Sequence, residues 1–335
     1  MDNVVVIGGS GFIGKALVAQ LEKKDLSVMV VSRSAGGRPN TPGVQYRSGD
    51  VTDAGCMLEL LKGATVVYDL STNLGATWEE CERYCVGGAR NVAQACLKHG
   101  VSRLIYTSSI SALYMGAGGT MDETAGPDPN PLKRGFYPRS KIFAERLLLE
   151  MHAKEGLPVV IFRPGVVLGI GGALVHGALG DRQSPTCITG YGNGKHRLPC
   201  VLVEDVASAL VLAKDAPAIE GLTFNLAGDV RPTAAEYVAL LRERTKRDFR
   251  YYSRSVWSMG LAEWSRWALK ALARKSDNSA VPYRDTKSVA MATDLDCSLA
   301  KRLLGWKPVA DRDEFIRRAI DCNVRPILPG DLRNA

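Results

Sequence analysis

A chain of 335 residues, 46% hydrophobic and 23% charged, is long and apolar enough to bury a sizeable core, which excludes a disordered or collagen-like polymer. Its longest apolar runs, around Val4–Ile7 and Val201–Val203, are strand-sized and fall far short of the about 20 residues of a membrane-spanning helix. The formal charge of +8 comes from Lys and Arg spread along the chain, so it suits a phosphorylated ligand and predicts no nucleic acid partner.

Eight cysteines occur without a CxxC spacing and only four histidines are scattered along the chain, which predicts reduced thiols and no bound metal. Met1-Asp2-Asn3 runs straight into a strand-like segment with no basic leader, and the expected location is cytoplasmic.

From Asn3 to Pro164 short β-branched runs alternate with helical stretches. Strands are expected near 4–8, 28–32, 65–70, 102–107 and 158–163, and helices near 12–24, 78–99 and 138–155. That alternation predicts an α/β fold, a doubly wound parallel sheet of Rossmann type with helices on both faces.

The first strand passes directly into Gly8-Gly9-Ser10-Gly11-Phe12-Ile13-Gly14 and a helix. Gly8 allows a tight turn, Gly11 admits a pyrophosphate to backbone N–H groups at the helix start, and Gly14 permits close helix-to-strand packing. Ser10, Phe12 and Ile13 are candidates with them for holding a dinucleotide. The second strand ends in Ser32-Arg33-Ser34, where an acid would bind a free ribose 2′-hydroxyl. With no acid there, Arg33, helped by Ser32 and Arg38, can pair with a 2′-phosphate, which predicts NADP(H) in preference to NAD(H). The plainer role for Arg33 is an exposed loop cation.

The strand at 102–107 runs into Thr107-Ser108-Ser109, hydroxyls at the carboxyl edge of the sheet that either polarise a carbonyl or cap a turn. Tyr137-Pro138-Arg139-Ser140-Lys141 sets a phenol and an ammonium four residues apart at a helix start, where the cation can stabilise a phenolate.

Beyond Pro164 the pattern loosens into a glycine-rich stretch. The expected organisation is a dinucleotide-binding domain over 1–164, a substrate domain from 165–197 and 229–325, and a loose tail over 326–335. Strands at Leu198–Val203 and Thr223–Leu226 are expected to return residues 198–228 to the first domain. Residues 255–274 carry Trp257, Trp264 and Trp267 at near-helical spacing among basic residues. A membrane-surface helix, an apolar substrate lid and a packed amphipathic helix all fit that pattern.

The glycine turn, sheet-edge serine and YxxxK occur in this order along one chain. With them stand Gly49-Asp50-Val51-Thr52-Asp53, Gly87–Val92, Arg163-Pro164-Gly165, Leu198-Pro199 through Ala207, and Leu304-Gly305-Trp306-Lys307-Pro308. Together they resemble the extended short-chain dehydrogenase/reductase superfamily, its NAD-dependent epimerase/dehydratase group.

The resemblance implies that Asp50 and Val51 contact an adenine; as a plainer alternative Asp50 caps a helix or turn. It also implies that Leu70, Ser71 and Thr72 flank the pyrophosphate and ribose, and that Pro164, Gly165 and Val166 face the nicotinamide, with Thr107 beside them. Tyr137 becomes the acid/base, Lys141 the group that lowers its pKa and holds the ribose, and Ser109 the hydroxyl that orients the reacting oxygen, with Ser108 and Ser111 as rivals.

Dehydratases resembling this group carry Thr-Asp-Glu where this chain has Thr107-Ser108-Ser109, which disfavours elimination of water. Ser32-Arg33 resembles NADP-using reductases. The expected activity is hydride exchange between a nicotinamide and an alcohol or carbonyl of a small substrate, phosphorylated or apolar, in a chain for which a homodimer is plausible. A nucleotide-sugar epimerase, with Lys195 and Arg197 on a diphosphate, and a non-catalytic NADP sensor are the alternatives.

Overall fold

The computed structural model describes residues 2–24, 26–34, 40–72, 75, 77–272 and 283–324. The amino-terminal part runs β1 (Asn3–Ile7), α1 (Phe12–Leu21), β2 (Ser27–Ser32), β3 (Val44–Ser48), α2 (Ala54–Leu60), β4 (Val66–Asp69), α3 (Trp78–Cys81), α4 (Gly88–His99) and β5 (Arg103–Thr107). It continues with β6 (Thr120–Met121), α5 (Phe136–Glu155), β7 (Val159–Pro164) and β8 (Val166–Leu168). The remainder comprises β9 (Asp181–Ser184), β10 (Cys187–Tyr191), β11 (Cys200–Leu202), α6 (Val203–Ala213), β12 (Thr223–Leu226), α7 (Ala234–Thr245), β13 (Arg250–Arg254) and α8 (Val256–Leu272). It closes with α9 (Tyr283–Val289), β14 (Asp294–Leu295), α10 (Ser298–Leu304) and α11 (Arg312–Ala319).

Seven strands form one parallel sheet in the order β12-β7-β5-β4-β1-β2-β3. Alternation along each strand sorts its side chains to two faces. Val4, Val6, Val28, Val30, Ile105 and Phe162 join Leu17 of α1 and Val206 and Leu210 of α6 in one core. Val5, Ile7, Leu104, Val159 and Ile161 join Met57 of α2, Val92 of α4 and Leu148 of α5 in the other. Chain order reverses between β1 and β4, and open α/β sheets bind ligands at the carboxyl ends of the strands beside such a switch.

Several sequence expectations change. Cys200–Leu202 pairs in parallel with β8 in a separate two-stranded ribbon, and only Thr223–Leu226 joins the main sheet, on β7. The helix expected over 78–99 is interrupted by a π-helical turn at Glu82–Gly87. The helix expected from 138 starts at Phe136, which puts Tyr137 in its first turn. A third hydrophobic core, with Leu179, Ile188, Tyr237, Leu241 and Phe315, sits under the carboxy-terminal lobe, where β13, β10 and β9 make a small mixed sheet. The tail over 326–335 lies outside the described residues.

Candidate active site

The turn after β1 is built as its glycines require. Gly8 has φ +78°, a left-handed conformation that costs glycine nothing, and its N–H donates to the Val31 carbonyl at 2.8 Å. A Cβ on Gly14 would collide with the Gly8 carbonyl oxygen, so only glycine lets α1 pack this close to the turn. Gly11 precedes α1 with no side chain capping the helix, which leaves its first N–H groups for another acceptor. A Cβ on Gly11 would meet only the Gly8 carbonyl oxygen, at 3.2 Å, so the space above the turn is open.

That space is a cleft of about 270 Å³ lined by Gly8, Ser10, Gly11, Ser32, Arg33, Asp50, Val51, Leu70, Ser71, Thr72 and Tyr84. Its size falls just below the usual range of small-molecule pockets. The ends of β1, β2, β3 and β4 and the α1 start thus bring together most residues that the sequence picks out for a cofactor. Phe12, Ile13 and Gly14 form the helix start below the cleft. The ring of Phe12 turns away toward Gly172, into a groove it shares with Lys15 and Ile170, so Phe12 offers the cleft only its backbone.

At the rim Arg33 is exposed, with its guanidinium 5.9 Å from the centre of the Tyr84 ring, and Arg83 stands 4.8 Å from the same ring. Beside them the Ser32 hydroxyl is buried and has no hydrogen-bond partner. Arg38 lies outside the described residues. Asp50 closes a turn by accepting from the Thr52 N–H and hydroxyl, both at 2.9 Å, while Asp53 is the residue that caps α2. A phosphate-bearing dinucleotide fits this set: free helix N–H groups, an unpartnered buried hydroxyl and a cation at the rim.

The second half of the site lies at the ends of β5 and β7. Tyr137 is half-buried in the first turn of α5, and Lys141 follows one turn later with 2% exposure. The Lys141 ammonium donates to the Thr107 carbonyl at 3.0 Å and to the Tyr106 hydroxyl at 3.4 Å. Burial works against the charge on Lys141. The Tyr106 and Tyr137 phenols, with Cys85 and Asp69, outweigh it and hold the pKa above the ordinary lysine value. Ser109 is partly exposed and its oxygen accepts from the Ser111 N–H at 3.1 Å. The hydroxyls of Thr107, Ser108 and Ser111 are buried without a partner. Pro164 ends β7, Gly165 links it to β8 and Val166 opens β8, with the Gly165 N–H on the Leu226 carbonyl at 2.8 Å and the Val166 N–H on the Pro199 carbonyl at 2.9 Å. They do not line the cleft described above.

Three features escape a reading of the sequence. Tyr84 enters the cleft from the π-helical turn, a distortion that recurs at functional sites. Asp69 ends β4 fully buried, its carboxylate accepting from the Ser71 N–H at 2.9 Å, and burial pushes its pKa up. An acid inside the apolar run Val66–Leu70 was the available signal.

The third is a clamp on the start of α5. Arg134, 2% exposed at its side chain, binds Asp128 at 2.8 Å, the Leu113 carbonyl at 2.9 Å, the Ser111 carbonyl at 3.1 Å, and Asp285. Asp285 also accepts the Gly135 N–H, and so caps α5 from outside the helix. Arg284 forks onto Asp128 and lies 3.7 Å from the centre of the Tyr114 ring.

Lys195 and Arg197 are both exposed, and Arg197 bridges to Thr233 through the backbone. Among the described residues no group of three His, Cys, Asp or Glu is placed to hold a metal ion, and no helix is long and apolar enough to cross a membrane.

The sheet order, the glycine turn and the paired strand ends define an NAD-binding class of fold. The chain belongs to the NAD dependent epimerase/dehydratase family, whose model matches residues 4–227. It is 29% identical to 2-alkyl-3-oxoalkanoate reductase of Stenotrophomonas maltophilia over 219 residues, 64% of this chain and 65% of that protein. It is 26% identical over 346 residues to a decarboxylating sterol-4-alpha-carboxylate 3-dehydrogenase of Candida albicans, covering 96% of this chain and 97% of that one. The match spans slightly less than two thirds of the reductase and 61% of an Arabidopsis thaliana 3beta-hydroxysteroid-dehydrogenase/decarboxylase. The crystal structure of gox2253 has the same fold, with a TM-score of 0.77 at 22% identity over 96% of this chain and 97% of that one. So does MoeE5 in complex with UDP-glucuronic acid and NAD, with a TM-score of 0.73 at 24% identity over 96% and 98%.

Proposed function

We propose that this protein is an NADP-preferring reductase or dehydrogenase acting at an alcohol or carbonyl carbon of an apolar carboxylic acid. The observation that carries the reading is Lys141, buried and held by the Thr107 carbonyl one helical turn from Tyr137, beside hydroxyls that the protein itself leaves unpartnered. The same reading gives the cofactor to residues 1–164 with 198–228, and the substrate to 165–197 and 229–325.

A nicotinamide dinucleotide, when bound, supplies or takes up the hydride. The chain's own part is the proton. In reduction the Tyr137 phenol donates its proton to the substrate oxygen as the carbonyl carbon gains the hydride; in oxidation the phenolate takes that proton back. Lys141 stabilises the phenolate by its charge, and the Thr107 carbonyl fixes where that charge stands. Ser109 keeps its hydroxyl proton for the substrate oxygen while its own oxygen accepts from Ser111. Gly8, Ser10 and Gly11 admit the pyrophosphate, and Ser71 and Thr72 border it. Arg33 with Ser32 opposes a 2′-phosphate, since no acid ends β2.

The relatives' names support the substrate class. A 2-alkyl-3-oxoalkanoate and a sterol-4-alpha-carboxylate both carry their reacting C3 oxygen on the carbon next to the one that bears the carboxylate. Both are also largely hydrocarbon. Incubation of the protein with NADPH and a panel of 2-alkyl-3-oxo acids, simple ketones and nucleotide sugars tests the reading. Stoichiometric loss of NADPH with the oxo acids is expected. Interconversion of nucleotide sugars with no net cofactor change overturns it in favour of an epimerase.

A further inference from the structure

Lys141 is a buried ammonium on a long, flexible stem, and one carbonyl does not by itself fix where such a head stands. An ammonium has three protons to place. One goes to the Thr107 carbonyl at 3.0 Å and a second to the Tyr106 hydroxyl at 3.4 Å. Tyr106 is a firm support for that second bond, because it is buried in β5 and its ring packs in the core shared with α4 and α5. Burial pushes the pKa of the Tyr106 phenol up, so it meets Lys141 as a neutral acceptor.

Other groups compete for the same charge. Tyr137 on its own helix, Cys85 on the π-helical turn and Asp69 at the end of β4 all bear on Lys141. Asp69 is the register partner of Tyr106 on the neighbouring strand, so the two side chains project to the same face of the sheet. An ammonium released by the Tyr106 hydroxyl has this buried acid to turn to.

We propose that Tyr106 is a positioning residue for Lys141, holding the ammonium against the Thr107 carbonyl and toward Tyr137. Two protons are thereby spent on β5, and the third is left for the cofactor ribose. The proposal rests on the reading of Lys141 as the residue that holds that ribose and stabilises the Tyr137 phenolate.

Tyr106→Phe, Lys141→Met and Tyr68→Phe test it by NADPH fluorescence titration and by the pH dependence of kcat with NADP+ and 2-methyl-3-hydroxydecanoate. Tyr106→Phe should weaken NADPH about threefold, lower kcat about tenfold and move the pH of half-maximal kcat upward by about half a unit. Tyr68 is as buried as Tyr106 but lies on the opposite face of the sheet with its hydroxyl unpartnered, so Tyr68→Phe should match wild type in all three. If Lys141→Met weakens NADPH while Tyr106→Phe binds it as wild type does and keeps the pH profile, the proposal is overturned and the catalytic reading stands. If Lys141→Met changes neither NADPH affinity nor kcat, the reading fails and takes the proposal with it. A Tyr68→Phe variant that reproduces the shifts of Tyr106→Phe also overturns the proposal, since loss of any buried phenol would then suffice.

Discussion

The clamp on α5 and the carboxyl edge of the main sheet both bury polar groups, but they treat them differently. In the clamp Arg134 has two carboxylates and two backbone carbonyls for its donors, and Arg284 completes Asp128. Arg163 is handled in the same way, with Glu145 at 2.6 Å and the Ala125 carbonyl at 2.9 Å. At the sheet edge the hydroxyls of Ser32, Thr107, Ser108 and Ser111 are buried and unpartnered. A buried polar group without a partner costs stability, so on the proposed reading these open hydroxyls are ones that a bound ligand would satisfy.

The largest expected effect comes from the satisfied side. Arg134→Met leaves Asp285 and part of Asp128 without their buried counter-charge, and breaking such a pair costs about 3–5 kcal/mol. Urea unfolding measures it. A loss below about 1 kcal/mol would mean that the clamp is not what fixes the start of α5, and would undo the comparison.

Tyr137→Phe probes the open side. It removes the hydroxyl and keeps the ring, so kcat should fall by on the order of a hundredfold, about 2.7 kcal/mol in the barrier, with cofactor affinity and urea midpoint nearly unchanged. Single-turnover hydride transfer beside NADPH titration reads this. An active Phe variant would make Tyr137 a structural residue. Arg33→Asp should act on binding alone, weakening NADPH by about tenfold and improving NADH, since a guanidinium that pairs with phosphate becomes an acid suited to a 2′-hydroxyl. Equal affinities of wild type for the two cofactors would sink that assignment.

The two regions also differ in how far the sequence reveals them. The glycine turn, Lys141 beside Tyr137 and the hydroxyls after β5 are legible because each depends on residues within a few positions of one another. Tyr84 is not, since the π-helical turn shifts it off the 3.6-residue register. β3 shows no apolar run: its sequence is Val-Gln-Tyr-Arg-Ser, an edge strand with only Val44 buried. α2 is seven residues with Gly55 inside it, too short to display a period. The clamp joins Asp128 and Arg134 to Arg284 and Asp285, about 150 residues apart, and no local spacing announces such a contact.

His176 sharpens the comparison at its weakest point, because it is an unpartnered buried group in the carboxy-terminal lobe, away from the sheet edge. Both ring nitrogens are buried without a partner, and its ring lies 5.5 Å from that of Tyr237, centre to centre. Burial disfavours the imidazolium and lowers the pKa to about 4. The sign follows directly: as pH falls through the ordinary histidine range the unfolded chain takes up a proton that the folded chain refuses. The stability contribution of neutral His176 is therefore complete above about pH 6.5 and is lost progressively down to about pH 4, by up to about 1.4 kcal/mol per pH unit. Carboxylates titrate in the same window, so the measurement is the difference in urea stability between wild type and His176→Phe at pH 7 and pH 5. The variant should lose less stability on acidification than wild type. If the two fall in parallel, His176 has a partner or solvent in the folded protein, and the Tyr237 and Tyr251 hydroxyls are left as the unpartnered buried groups of this lobe among the described residues.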